Sequence, residues 1–307
     1  MSVQLVLEQL LNGAQLGVTL FLMAAGLTLI FGIMNLVNLA HGSFYMAGAY
    51  LAVTFYRWTG SLVLGALLAL PATLLVGVVI EVVALRTLYE RDHLDQVLAT
   101  FGLILFFNEL IAIIWGRVGL FINLPDWLSG SVQFGAAFAY PLYRLVIVAI
   151  GVVVAVALWY VVARTRLGML VRAGASNRTM VAALGVNVRL LYTLVFGLGA
   201  ALAGLAGAMA APIYAVQPGM GDPVLIQAFV VIAIGGIGSI RGALAGALIV
   251  GMVDTLGRAF LKPALATLIS PPAAQSAGPA LASMLVYLLM AGVLALRPEG
   301  LFPARGR

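Results

Sequence analysis

Apolar runs of membrane length alternate with short polar interruptions along the whole chain. A bilayer-crossing helix needs roughly 20 predominantly apolar residues. The runs Gly13 to Asn35, Ser61 to Leu85, Val97 to Trp115, Pro141 to Ala163, Leu190 to Ala211 and Leu281 to Leu296 each predict a span. Residues 1–12, with Glu8 and Gln9 among leucines, predict an amphipathic segment at the interface. Gly13 and Gly17 form a GxxxG pair suited to close helix contact. After the first run, the stretch NLVNLAHGS places Asn35, Asn38, His41 and Ser43 in an otherwise apolar context. A short span follows to about Phe55, closed by Arg57 and Gly60.

Residues 224–258 form two apolar pieces divided by GGIGSIRG. The first piece, about Val224 to Ile234, is short for a span at 1.5 Å per residue. Gly235, Gly236 and Gly238 break or bend it, and irregular backbone at membrane depth requires a protein or water-lined setting. The stretches 35–55 and 224–241 therefore predict two halves of a pseudo-repeat around a binding path, although glycine is also simply common in membrane helices. The count is eight or nine crossings.

The longest polar interruption, Arg164 to Asn187, carries Arg164, Arg166, Arg172 and Arg178, with Arg189 just beyond and no acidic residue. Basic loops face the cytoplasm, and so does the charged loop Arg86 to Asp95. Met169, Val171, Met180, Val181, Ala183, Leu184 and Val186 predict a short amphipathic helix lying under the bilayer. The loops 116–140 and Pro212 to Pro223 read as external, and 259–279 as a proline-bearing loop. Residues 1–56 lack Lys and Arg, which predicts an outside N-terminus and no cleavable leader. Arg297, Arg305 and Arg307 predict an inside C-terminus. Opposite-sided termini require an odd number of crossings, which favours two short crossings at 224–258.

Composition agrees: 64% of the 307 residues are hydrophobic and 8% charged, against roughly a quarter charged in soluble domains. The expected fold is an all-α polytopic membrane protein, one transmembrane domain over 1–307 with broken or re-entrant segments. The net charge of +6 is a topology signal and implies no nucleic acid. Cysteine is absent, so disulfides and thiolate metal sites are excluded. Lys262, the only lysine, precedes Pro263, so no Walker-type phosphate loop exists. His41 and His93 lie on different segments without clustered carboxylates; neither metal site, cofactor nor intrinsic enzyme is expected. Glu109, at mid-span beside Asn108, is either part of a polar path or a hydrogen-bonded carboxyl joining helices. Glu81 and Asp254, near span ends, are expected at the interface. His41 is either a packing hydrogen-bonder or part of a pathway with Asn35, Asn38 and Ser43.

Four stretches carry a family resemblance. GLTLIFGIMNLVNLAHGSFYMAGAY at 26–50 and IQAFVVIAIGGIGSIRGALAGALIVG at 226–251 resemble the two signatures of the branched-chain amino acid ABC importer permeases of the LivH type. RAGASNRTMVAALGVNV at 172–188 is similar to that family's cytoplasmic coupling loop, and LRPEGLFP at 296–303 to its ending. The resemblance implies a permease in a bacterial or archaeal cytoplasmic membrane. Its partners would be a second homologous permease, two ABC ATPase subunits and a periplasmic or extracellular solute-binding protein. The loop would dock in an ATPase groove through Arg172, Ala173, Asn177, Arg178, Leu184 and Gly185. Asn177 stands where relatives often have an acidic residue, and Val181 where they often have alanine. Asn35, Asn38, His41, Gly42, Ser43, Glu109, Gly235, Gly236 and Gly238 would line or support the translocation path. Urea or short amides are alternative substrates within the resemblance. Outside it stand an ion-coupled secondary transporter using Glu109 and Asp254, and a membrane scaffold without transport.

Overall fold

The computed structural model describes residues 3–134 and 138–303. Arg305 and Arg307, part of the expected basic ending, lie outside the described residues. Helix α1 spans Val3–Met34, α2 His41–Thr59, α3 Leu62–Ile80 and α4 His93–Trp115. A π-helical turn, Glu81–Leu85, and a 3-10 turn, Arg86–Leu88, extend α3. The short α5 (Asp126–Ser129) precedes an antiparallel hairpin of β1 (Ser131–Phe134) and β2 (Phe138–Pro141). Then follow α6 (Leu142–Arg164), α7 (Arg166–Ser176), α8 (Arg178–Ala183) and α9 (Val188–Ala210). The last three helices are α10 (Gly221–Gly235), α11 (Ile240–Leu265) and α12 (Pro271–Leu296).

Among the described residues, seven helices are long and apolar enough to cross a membrane; α2, less apolar, and α10, only 15 residues long, are not among them. Glycine contacts fix the packing directions. Gly13 and Gly17 of α1 meet Met252 and Ala247 of α11, and Gly26 meets Gly199 of α9, so α1 is antiparallel to both. Thr73 and Gly77 of α3 meet Gly204 and Ala200, again antiparallel. Phe44 packs on Phe196 and Ala52 clusters with Ala208, so α2 runs parallel to α9. Gly235 meets Gly242 and Gly246 meets Val231, so α10 and α11 are antiparallel. With α2 and α10 included, the chain alternates through nine passes among the described residues, and residues 224–258 traverse twice. The basic loops gather at one end with the C-terminal segment, the end that faces the cytoplasm by the positive-inside rule. The start of α1 lies at the other.

Helices α1 and α9 form the centre: 83% of the most apolar stretch of α1 is buried against 11% of that of α12. Small residues make this possible. A Cβ on Gly48 would sit 2.3 Å from Gly204 Cα, and one on Gly221 2.0 Å from the Gly42 carbonyl oxygen. Backbones in direct contact are the membrane way of packing when lipid tails are as apolar as the helices.

Several expectations need correction. Residues 3–12 are not a separate interfacial segment but the first turns of the 32-residue α1, about 48 Å long and longer than the hydrocarbon core. Helix α2 continues past Phe55 to Thr59, with Arg57 in its last turn and Gly60 as a left-handed cap at φ 67°. Asp222 belongs to the first turn of α10 rather than to a loop. Residues 259–279 are helical at both ends, as the close of α11 and the start of α12.

Glu81 and Asp254, expected at the interface, are buried within the protein. Glu81 accepts from Arg86 Nε (3.2 Å), Arg86 Nη2 (3.1 Å), Tyr89 OH (2.7 Å) and Thr193 Oγ1 (2.8 Å). Burial and then the bond to Glu81 hold the Tyr89 phenol well above its ordinary pKa, keeping it a donor. This network staples the α3 extension to α9. Glu81→Gln is expected to lower stability by about 2–3 kcal/mol, the low end for one partner of a buried pair, because Arg86 can turn outward. Thermal unfolding in detergent measures it, and an unchanged midpoint would show that the network is not stabilising.

Candidate functional site

The first polar break is an unwound leader to a helix that starts inside the bundle. Asn35 ends α1 at φ 53°, the one non-glycine positive φ among the described residues. Asparagine tolerates that region better than other side chains. From there residues 35–40 climb alongside α4. The Val37 N–H donates to Gln96 Oε1 and the Leu39 N–H to Thr100 Oγ1, both at 3.2 Å. Gln96 Nε2 in turn donates to the Leu88 and Arg91 carbonyls, each at 3.2 Å, so an unwound backbone at membrane depth finds its partners in protein. Gln96 and Thr100 escape the sequence reading; the signal was a polar pair four residues apart opening an apolar span.

Helix α2 then begins at His41. The imidazole fits because Gly26 has no side chain: a Cβ there would lie 2.9 Å from His41 Nε2. Gly26 is eight residues, about 12 Å, from the cytoplasmic end of α1, which puts His41 near the bilayer middle. Gly42 touches Gly221, the first residue of α10. The N-termini of α2 and α10 therefore meet at mid-membrane, α2 leaving toward the outside and α10 toward the cytoplasm. The partner of the 35–40 leader is thus the segment 211–220 before α10, rather than the glycine break after it. It descends from the outer end, where Leu120 pairs with Val216, and passes Gly219, whose N–H donates to Met46 Sδ at 3.2 Å.

Around this junction the polar side chains are buried and largely unpartnered. Asn38, His41 and Ser43 are at most 1% exposed, and their side-chain polar atoms make no hydrogen bond; the Met23 backbone lies beside the His41 ring. Thr28 Oγ1 and Tyr50 OH are in the same state. Such groups cost roughly 1–3 kcal/mol each, and their retention calls for a functional explanation. Asn108 lies near Asp222 at the outer side of the junction, next to Phe107, which packs on Phe44. Glu109 does not join the group: it faces outward on α4, 61% exposed, and pairs with Arg117 at 2.7 Å.

The second break is a strapped helix end. Gly236 has φ 105° and Gly238 φ 81°. The C-terminal residues fold back beneath them, with the Leu301 N–H donating to Ile234 O at 2.8 Å and the Phe302 N–H to Gly235 O at 2.9 Å. These bonds satisfy α10 carbonyls that a helix end leaves free. Gly238 abuts Gly32 of α1, so this break supports the cytoplasmic end of α1 rather than lining the mid-membrane junction.

The basic loop is two helices, not one. Thr165 caps α7, accepting from the Gly168 N–H, and Asn177 caps α8, accepting from the Met180 N–H at 2.9 Å. Aspartate caps a helix equally well, so asparagine at 177 leaves the turn intact. Val181 is buried, whereas Met180 and Leu184 are exposed (Leu184 76%), as are Asn177 and Arg178. Met169, Met180 and Leu184 point away from the bundle. Ala173 is half-buried, and Arg172 donates to the Val162 carbonyl at the end of α6. Gly185 closes α8 at φ 83° in open space, and Asn187 caps α9, accepting from the Leu190 N–H at 3.0 Å.

Loop and break share a cavity of about 660 Å³ lined by Asn35, Tyr89, Arg91, Gln96, Ser176 and Arg178, among others. Among the described residues, no three His, Asp or Glu side chains cluster as metal ligands.

Residues 9–294 match the family described as branched-chain amino acid transport system / permease component. The chain belongs to this permease family. It is 33% identical over 265 residues to the high-affinity branched-chain amino acid transport system permease protein BraD of Pseudomonas aeruginosa, covering 82% of this chain and 86% of BraD. It is 31% identical over 272 residues to LivH of Escherichia coli K12, covering 83% and 87%. The probable LivH of Methanocaldococcus jannaschii is 28% identical over 259 residues, covering 81% and 80%. The matched span takes in both breaks, the mid-membrane junction and the α7–α8 loop; the 299–303 part of the strap lies just beyond it.

Proposed function

We propose that this permease is the membrane subunit of an ATP-driven importer for branched-chain or related amino acids in a bacterial or archaeal cytoplasmic membrane. It works with a second homologous permease, two ABC ATPase subunits and an external solute-binding protein. It is a passive path, and ATP hydrolysis belongs to its partners. The observation that carries the reading is the family match over residues 9–294, with relatives named as high-affinity branched-chain amino acid permeases.

The geometry supports a division of labour. The ATPase grips the exposed face of α7–α8 at Asn177, Arg178, Met180 and Leu184. Its movement passes through Gly174, which lies against Ile33 of α1 and Leu191 of α9, and across the shared cavity to the 35–40 leader. There α2 and α10 present their positive ends, and Asn38, His41 and Ser43 hold donors and acceptors without partners. Separation of the Gly42–Gly221 contact opens a polar step at mid-membrane for a zwitterionic solute, whose carboxylate suits helix N-termini. An ion-coupled mechanism gains no support from Glu109 or Asp254, because both carboxylates are held by arginines, Arg117 and Arg258.

Uptake of labelled leucine into proteoliposomes tests the reading. Uptake is expected only with ATPase, second permease and binding protein present, with ATP on the loop side, and is expected to survive collapse of ion gradients. Gradient-driven uptake by this chain alone would overturn it.

A further inference from the structure

A second cavity, about 1050 Å³, opens beside the bundle at its cytoplasmic end. Its walls come from α1, α6, α7, the start of α11 and the C-terminal strap. Most of the lining is apolar, including Phe21, Leu29, Val156, Trp159 and Leu244. Among the described residues, the only charged lining residues are Arg172 and Arg241, and both are exposed. Along α1 the lining runs from Phe21 to Ile33, about 18 Å at 1.5 Å per residue, close to the ~15 Å of one hydrocarbon leaflet. Along α6 it runs from Ala155 to Ala163, ending level with the cytoplasmic loops. An apolar slot of leaflet depth thus lies under a pair of positive charges.

We propose that this groove holds an anionic phospholipid of the cytoplasmic leaflet, with its phosphate between Arg172 and Arg241 and its acyl chains along α1 and α6. Two features select that occupant. Both charges are positive, and among the described residues no carboxylate lines the cavity to neutralise them. The N-terminus of α11, a 26-residue helix capped by Ser239, opens at the same place and adds its own attraction for phosphate. Arg172 uses one N–H on the Val162 carbonyl, and a guanidinium has four more to give. An apolar helix of another subunit in the groove would leave both arginines without a counter-charge.

The two arginines belong to different moving parts. Arg172 is on α7 of the basic loop, and Arg241 is in the first turn of α11, directly after the strapped glycine break. A lipid phosphate bridging them ties loop to bundle, so membrane composition sets how firmly the loop is held.

Native mass spectrometry of the full-length chain, extracted from phosphatidylcholine vesicles containing one-fifth phosphatidylglycerol, tests the proposal without any transport assay. One phosphatidylglycerol is expected to be retained in preference to phosphatidylcholine, by about five-fold for each arginine and about 25-fold for the pair. Arg241→Gln should remove about five-fold of that preference, and the double change with Arg172→Gln nearly all of it. Ala155→Trp, which fills the slot without touching charge, should expel both lipids. Inorganic phosphate in excess should leave the lipid in place. Equal retention of the two lipids, indifference to both arginine changes, or displacement by inorganic phosphate would each overturn the proposal. So would loss of the lipid when a second permease joins, which would assign the groove to a subunit interface.

Discussion

Gly185→Pro is expected to leave the bundle assembled in the membrane while lowering ATP-driven uptake at least ten-fold and detaching ATP hydrolysis from solute. Gly185 sits at φ 83° with nothing within 4 Å of where a Cβ would be, so the substitution acts through backbone alone. Proline is confined near −65° and also deletes the N–H that donates to the Ala182 carbonyl at 3.0 Å. The turn joining α8 to α9 cannot then form, and Leu184 and Arg178 leave their places on the exposed face. Asparagine, which tolerates positive φ, supplies the contrast: Gly185→Asn should retain most activity. Uptake and ATPase rates measured side by side on both variants separate turn geometry from side-chain identity. Normal coupling in the proline variant would reduce the loop to a topology element.

Gly236→Leu is the second large effect. Here conformation and space both forbid a side chain: φ is 105°, and a Cβ would lie 2.9 Å from the Phe302 carbonyl oxygen and 3.1 Å from that of Glu299. Those atoms are backbone, so relief requires the strap to lift, breaking the Leu301 and Phe302 bonds to α10. A strained positive φ alone costs about 1–3 kcal/mol, and the lost strap frees two buried carbonyls besides. We expect uptake to fall ten-fold or more and the melting midpoint to drop. Gly292→Leu is the control, since nothing lies within 4 Å of its Cβ position and its φ is ordinary. Equal behaviour of the two variants would show that the break at 235–238 is ordinary helix.

The passes were largely legible because each is a local run of apolar residues. The two breaks were also visible, since polar or glycine-rich clusters inside apolar runs are local as well. What escaped was set by distance along the chain. The partners of Glu81 stay hidden until Thr193, 112 residues away, is placed beside it. The junction of α2 with α10 depends on Gly42 meeting Gly221, and no local pattern pairs those glycines, so the repeat partner of the first break was assigned to the wrong side of α10. The ending LRPEGLFP looked like a tail, and its role as a strap rests on bonds to Ile234 and Gly235. Glu109 is the opposite case. Arg117, only eight residues on, was in plain view, but the depth assigned to Glu109 hid the pairing. In the loop, periodicity correctly gave helix, but not its division into α7 and α8 at Asn177. Met180 and Leu184 stay exposed, as a partner-binding face requires.

Cross-linking from single cysteines tests the central claim most directly, because the chain has none of its own. Leu184→Cys at the loop tip and Trp58→Cys at the opposite end are both well exposed positions, at 76% and 75%. In native membranes, a short thiol-reactive cross-linker should join residue 184 to a protein that carries a Walker motif and hydrolyses ATP, and residue 58 should capture none. Capture of that ATPase from both positions, or from neither, would contradict the account of a permease driven through its cytoplasmic loop.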